Sequence, residues 1–234
     1  VQTLPVRHGK TNTASIMAFG YNPFITSWSP YHGAAYAVVE AAAKVVAAGA
    51  RYDKMRYSYQ EYFERMNSET SWGKPLSALL GALKMQVELG LPSIGGKDSM
   101  SGTFQDINVP PMLMAFGITT VDARTVISPE FKAAGNKLYL IKHTPLNNYM
   151  PDTDQLKDLF SQVSSAIEQG KIISAYAVGF GGVAEAVAKM SFGNCIGADV
   201  KMDEKELFNY AYGSFVVEVA GDLDCDYAEL IGTT

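Results

Sequence analysis

Nine consecutive residues concentrate the chemistry of this sequence: Gly95-Gly96-Lys97-Asp98-Ser99-Met100-Ser101-Gly102-Thr103. They follow a short apolar run, Leu91–Ile94, that reads as a strand. Glycines allow close backbone approach and positive φ, and successive N–H groups in such a turn can cradle an anion. Lys97 could neutralise a phosphate, Asp98 could hold Mg²⁺, and Ser99 could bond a phosphate or substrate oxygen. The GxxxxGK[ST] spacing of a Walker A loop is absent. On residue types alone, a ligand loop and a polar connection between strands both remain open.

Three other places carry weaker signals. Arg7-His8-Gly9-Lys10-Thr11-Asn12-Thr13 is dense in polar groups and reads as a ligand segment or a solvated basic cluster. Glu40 and Lys44 sit at i, i+4 in the order that favours a local ion pair, worth roughly 0.2–0.5 kcal/mol. The alternative for Glu40 is a metal ligand at a nucleotide site. Gly179-Phe180-Gly181-Gly182 opens a predicted helix whose N–H groups could face an anion, although Phe180 is apolar where a phosphate site wants polarity. His8, His32 and His143 have no partner pattern, and none is assigned as a base.

These residues need elements to hold them. An Ala/Val-rich helix from about Gly33 to Ala48 is apolar nearly all round, the mark of a buried helix. A second helix is expected from about Pro75, in its first turn, to Glu88, with Leu79, Leu80, Leu83 and Val87 as its buried face. Met112–Val121 reads as a strand, and Ser128–Asn136 as a linker. A fresh alternation follows: strand 138–141, helix 154–169, strand 172–178, helix 183–192 and strand 214–219. Two α/β domains are therefore expected, 1–128 and 136–234, which suits a chain of 234 residues when a domain holds ~100–200.

Composition bounds the partners. With 47% hydrophobic and 18% charged residues the chain can bury a core, and a net charge of -5 argues against nucleic acid. Cys195 and Cys225 form no CxxC pair and read as reduced thiols of a cytoplasmic protein. No apolar run reaches the ~20 residues of a membrane helix. The sequence starts at Val1 without Met, and a truncated chain is expected.

Three segments carry a family resemblance: Arg7–Met17, Ser29-Pro30-Tyr31-His32-Gly33, and Gly90–Ser101 with its Gly-Lys-Asp-Ser-Met-Ser string. With the Gly-Gly-Val-Ala-Glu-Ala-Val run of the second half, they resemble the second synthetase-like half of formylglycinamide ribonucleotide amidotransferase (phosphoribosylformylglycinamidine synthase), in its long single-chain form. The resemblance implies an aminoimidazole ribonucleotide synthetase-like half-barrel domain followed by an α/β domain. It implies a carbon–nitrogen ligase of purine biosynthesis that uses ATP, Mg²⁺ and glutamine. The first synthetase half, with its catalytic histidine, and the glutaminase domain, with its cysteine, are then expected outside this chain. The isolated piece is expected to be inactive and able to pair with a second copy of itself.

The resemblance places Gly96, Lys97 and Ser99 at nucleotide, Mg²⁺ or substrate, with Gly95 and Asp98 of the same loop as further binding candidates, and Glu40 at a metal of an auxiliary ADP site. There this sequence departs from the family: Lys44 stands for Asn, and Phe180 for Asp. Two lost oxygen ligands and a gained cation place Mg²⁺ and the auxiliary ADP in doubt. A non-catalytic scaffold half is the rival expectation. A phosphotransferase of the same superfamily is a more distant one, and the lack of an acidic metal cluster speaks against it.

Overall fold

A computed structural model describes residues 1–234 as a mixed α/β chain built on two five-stranded sheets. The elements are, in order, β1 (Gln2–Thr3), β2 (Thr13–Gly20), α1 (Pro23–Trp28), α2 (Pro30–Ala47), β3 (Arg56–Tyr62), α3 (Glu69–Leu89), β4 (Ser93–Lys97), β5 (Thr103–Phe104), β6 (Ile107–Asn108) and β7 (Met112–Asp122). The second half adds β8 (Lys137–Ile141), α4 (Thr153–Glu168), β9 (Ile172–Ala177), α5 (Gly182–Phe192), β10 (Asp199–Val200), α6 (Glu204–Phe208), β11 (Phe215–Val219) and β12 (Ala228–Thr233).

The first sheet has the order β1-β2-β7-β3-β4. Only β3 and β4 run parallel. Alternation decides its faces: Ala14 and Ile16 of β2, Tyr57 of β3, and Leu113 and Ala115 of β7 are buried beneath α2. The opposite face exposes Met17, Phe19 and Ile118. The all-apolar helix expected near residues 33–48 is α2, which begins at Pro30 behind the Ser29 cap. It is buried on nearly every side because it packs on the first sheet, on α3, and on α4 and β9 of the second half. Small residues let it settle close. A Cβ at Gly20 would lie 2.1 Å from the Ala37 carbonyl oxygen, and the Tyr57 hydroxyl donates to the Val38 carbonyl at 2.8 Å.

The second helix differs from the sequence expectation in two ways. It starts at Glu69, six residues earlier, because Ser68 and Ser71 form a reciprocal capping box that satisfies the free N–H groups of the first turn; Pro75 lies inside the helix. Its buried face is also the other one. Ala78, Gly81, Ala82, Met85 and Leu89 face the core, while Leu79, Leu80, Leu83 and Val87 are exposed, from 46% for Leu79 to 71% for Val87. Trp72 and Leu76 continue this outward stripe.

The second sheet is antiparallel throughout, in the order β10-β12-β8-β11-β9. Every residue of β11, an inner strand between β8 and β9, is buried. One face packs on α4 through Leu156, Leu159, Phe160 and Val163 and joins the core of the first half. The other packs on α5 through Val183, Ala186 and Met190. The expected linker is pinned by fully buried Glu218 of β11. Its carboxylate accepts from the backbone N–H of Lys132 at 2.7 Å and of Ala133 at 3.1 Å, and from Asn136 Nδ2 at 2.6 Å.

Candidate functional site

The Gly95–Ser99 segment is less of a loop than its composition suggests. Gly95, Gly96 and Lys97 belong to β4, an exposed edge strand beside Ser58, Tyr59 and Gln60. Gly96 has a packing reason: a Cβ there would stand 2.7 Å from the Tyr59 carbonyl oxygen. The chain then crosses the C-terminal ends of the parallel pair β3 and β4. Ser99 N–H donates to the Glu61 carbonyl at 3.1 Å, Phe63 N–H to the Ser99 carbonyl at 2.9 Å, and Gly102 N–H to the Phe63 carbonyl at 2.9 Å. The Ser99 and Ser101 hydroxyls meet at 3.1 Å. Lys97 and Asp98 are exposed, so their charges reach solvent above the strand ends.

Beneath them sits a group the sequence reading missed. Glu61 keeps only 6% of its surface, and its Oε1, like the nearby Tyr59 hydroxyl, has no hydrogen-bond partner. Burial first, and the Asp98 charge second, push the Glu61 carboxyl up to about 7. A carboxyl raised in the folded state adds stability that is complete below its ordinary 4.5 and is lost as pH rises toward 7. Glu61→Gln keeps the shape and removes the charge. It should flatten that loss and raise Tm at pH 8 by about 2–4 °C, the response of a chain this size to ~1 kcal/mol. Thermal melts at pH 5 and pH 8 check it; an equal change at both would contradict the burial argument.

Glu40 and the 179–182 turn are brought together, at the junction of the two halves. A Cβ on Gly179 would be 3.6 Å from Glu40 Oε1. The carboxylate is already engaged: Lys44 Nζ lies 2.8 Å from Oε1, and Tyr21 N–H donates to Oε2 at 2.9 Å. Lys44 also donates to the Phe19 carbonyl at 2.9 Å and lies 4.6 Å over the Phe19 ring. An ammonium therefore sits where a divalent cation would need room. The turn itself is closed to anions. Gly181 N–H, at the start of α5, donates to Glu185 Oε2 at 2.7 Å. Phe180 stacks on Phe24 at 5.3 Å and leans on Tyr210 at 5.4 Å. These residues do not fit Mg²⁺, and no cluster of three or more His, Cys, Asp or Glu could hold a metal.

Residues 7–10 are exposed coil, and Thr13 opens β2. His32 bonds Ser29 Oγ at 2.8 Å and the Asn148 carbonyl at 3.1 Å. His143 is buried and structural: Nδ1 donates to the Tyr212 carbonyl at 2.9 Å, and Nε2 accepts from Asp152 N–H at 3.1 Å. Burial lowers its pKa. No helix is long and apolar enough to cross a membrane.

No protein-family model matches the chain. Curated sequences do. The phosphoribosylformylglycinamidine synthase subunit PurL of Picrophilus torridus is 29% identical over 226 residues, covering 86% of this chain and 29% of the relative. The PurL subunit of Lactobacillus delbrueckii subsp. bulgaricus is 26% identical over 221 residues, covering 85% and 29%. Over most of its length the chain is similar in sequence to PurL synthases. It spans about 29% of the length of these two relatives. Its fold is also that of T. maritima PurL complexed with FGAR, with TM-score 0.76 at 14% identity over 94% of this chain and 42% of that one. Thiamine monophosphate kinase from Aquifex aeolicus shares it at TM-score 0.61 and 10% identity, over 94% of this chain and 84% of that one.

Proposed function

We propose that the chain is one synthetase-like half of a phosphoribosylformylglycinamidine synthase, divided into domains 1–128 and 136–234. The observation that carries this reading is the alignment of 85–86% of the chain with less than a third of each PurL relative. In this reading the full enzyme joins formylglycinamide ribonucleotide to ammonia from glutamine. ATP activates the formamide oxygen, and phosphate leaves as ammonia attacks. The part of this half is to present the segment after β4: Lys97 as a point charge toward phosphate, Ser99 as a hydroxyl, and Asp98 beside them. Glu40 takes no metal role, since Lys44 neutralises it at 2.8 Å.

A second reading, a scaffold half, has its own support. The self-paired Glu40, the Glu185-capped α5 and the Phe180 stack close the auxiliary site with the chain's own groups. The exposed Met17, Phe19 and Ile118 face and the free β4 edge suit pairing with a homologous half or a second copy. Both readings expect the purified chain, given formylglycinamide ribonucleotide, ATP-Mg²⁺ and ammonium, to show no amidine formation. Turnover above the enzyme-free rate would overturn the partial-enzyme assignment.

A further inference from the structure

A cleft of about 530 Å³ opens between α1–α2 and the C-terminal sheet. Neither Glu40, Lys44 nor the Gly95–Ser99 segment lines it. Its walls carry Phe24, Trp28, Tyr36, Tyr149, Tyr210 and Tyr212. Phe24, Trp28, Tyr149 and Tyr210 are each about half exposed or more, although aromatic surface of this size is normally removed from water. The walls are braced. The Tyr36 hydroxyl donates to the Tyr149 carbonyl at 2.8 Å, and Asn22 Nδ2 donates to the Tyr212 hydroxyl at 2.8 Å. Tyr36 and Tyr212 rings meet at 5.6 Å, and Trp28 meets Tyr149 edge-on at 6.2 Å. A braced aromatic cavity at a junction, within the roughly 300–1,000 Å³ of small-molecule sites, is built to receive a flat ring.

One end of the cleft is charged. Lys142 is its sole lysine or arginine, and Glu206 its sole acidic residue. Their side chains are 3.3 Å apart. Lys142 follows strand β8 directly and its N–H donates to the Tyr227 carbonyl at 3.0 Å, so its backbone is held. Glu206 lies on α6, a five-residue surface helix, and is half exposed, so it can swing away. His143 adds no charge, because both ring nitrogens are engaged by backbone. Thr144 and Asn209 add short polar groups to the lining.

We propose that this cleft binds a small aromatic anion, its ring held between the aromatic walls and its acidic group on Lys142 in exchange for Glu206. The inference does not depend on the PurL reading and is tested on the chain alone. The two tryptophans, Trp28 and Trp72, make the test specific. In Trp72→Phe, Trp28 at the cleft is the sole reporter. The probe is 8-anilinonaphthalene-1-sulfonate, titrated while Trp28 emission is followed. Saturable quenching with one site per chain is expected. Lys142→Ala should weaken the affinity about tenfold, the loss of a charge-assisted contact. Glu206→Ala, on the exposed helix, should tighten it by freeing Lys142. Ala211→Phe should fill the cavity and abolish quenching, with circular dichroism confirming the fold. No quenching of Trp28, or an affinity unmoved by both Lys142→Ala and Glu206→Ala, overturns the proposal.

Discussion

Glu218→Leu is expected to destabilise the protein by about 4 kcal/mol, from the loss of three part-buried hydrogen bonds to one buried acceptor at ~1–3 kcal/mol each. Leucine fills similar space on β11 but accepts nothing. The N–H groups of Lys132 and Ala133 and the amide of Asn136 would lose their shared partner, and Glu218 has no exposed surface through which water could replace it. The chain between the halves would come loose together with its other anchors. These are Ser174 Oγ donating to the Pro129 carbonyl at 3.0 Å and Gly135 N–H donating to the Thr234 carbonyl at 2.7 Å. Glu218→Gln keeps one acceptor oxygen and should lose markedly less. Urea unfolding of both variants distinguishes them. A loss below ~1 kcal/mol for leucine, the worth of one ordinary hydrogen bond, would mean that the linker is held by something else.

Gly81→Ala carries the second large effect, and its sign is the informative part. On helix propensity alone alanine should gain ~1 kcal/mol. At Gly81, however, the new Cβ would lie 2.0 Å from the Tyr31 carbonyl oxygen, and backbone cannot rotate out of the way. Helix α3 would have to retreat from α2, opening the contacts of Ala78, Ala82 and Met85. Overpacking of this kind costs ~1–3 kcal/mol or more, enough to reverse the propensity gain. Gly73, on the same helix, has nothing within 4 Å of its would-be Cβ, and Gly73→Ala should stabilise. Opposite shifts in urea midpoint are expected from the pair; a gain at both sites would refute the close helix crossing.

This crossing also explains where the sequence could be read and where it could not. Helix α2 was legible because a helix apolar on every side has only one place to go. In α3 the periodicity of Leu79, Leu80, Leu83 and Val87 revealed a stripe but not its direction. The residues that face α2 are Ala78, Gly81 and Ala82, small enough for backbones to approach, and hydrophobicity ranks them below leucine. Strand β3 was missed because its inward series Tyr57, Tyr59, Glu61 mixes rings with a carboxylate that ordinarily signals solvent. The fold class followed from the motif resemblance and from the second half's alternation, and it matches the observed α/β sheets. At the candidate site, Glu40 and Lys44 could be paired from spacing alone. The Phe180–Phe24 stack could not, since those rings are 156 positions apart in the chain. The aromatic cleft, gathered from residues 24 to 212, has no local signature at all.

The pairing of β2 with β7 has a consequence for biosynthesis. Thr13 faces Asp122 and Gly20 faces Ala115 in an unbroken antiparallel register. The second strand of this chain therefore has only the two-residue β1 to pair with until β7, about a hundred residues later, has left the ribosome. At ~5–20 residues per second that interval is on the order of 5–20 seconds. Throughout it the alanine-rich α2 has only α3 to pack on, and its sheet-facing side stays uncovered. Helices can form at once from local contacts, whereas the long loop must close before the sheet rewards it. A nascent chain of this design is thus helical early, sticky for seconds, and a natural client for holding chaperones until β7 arrives.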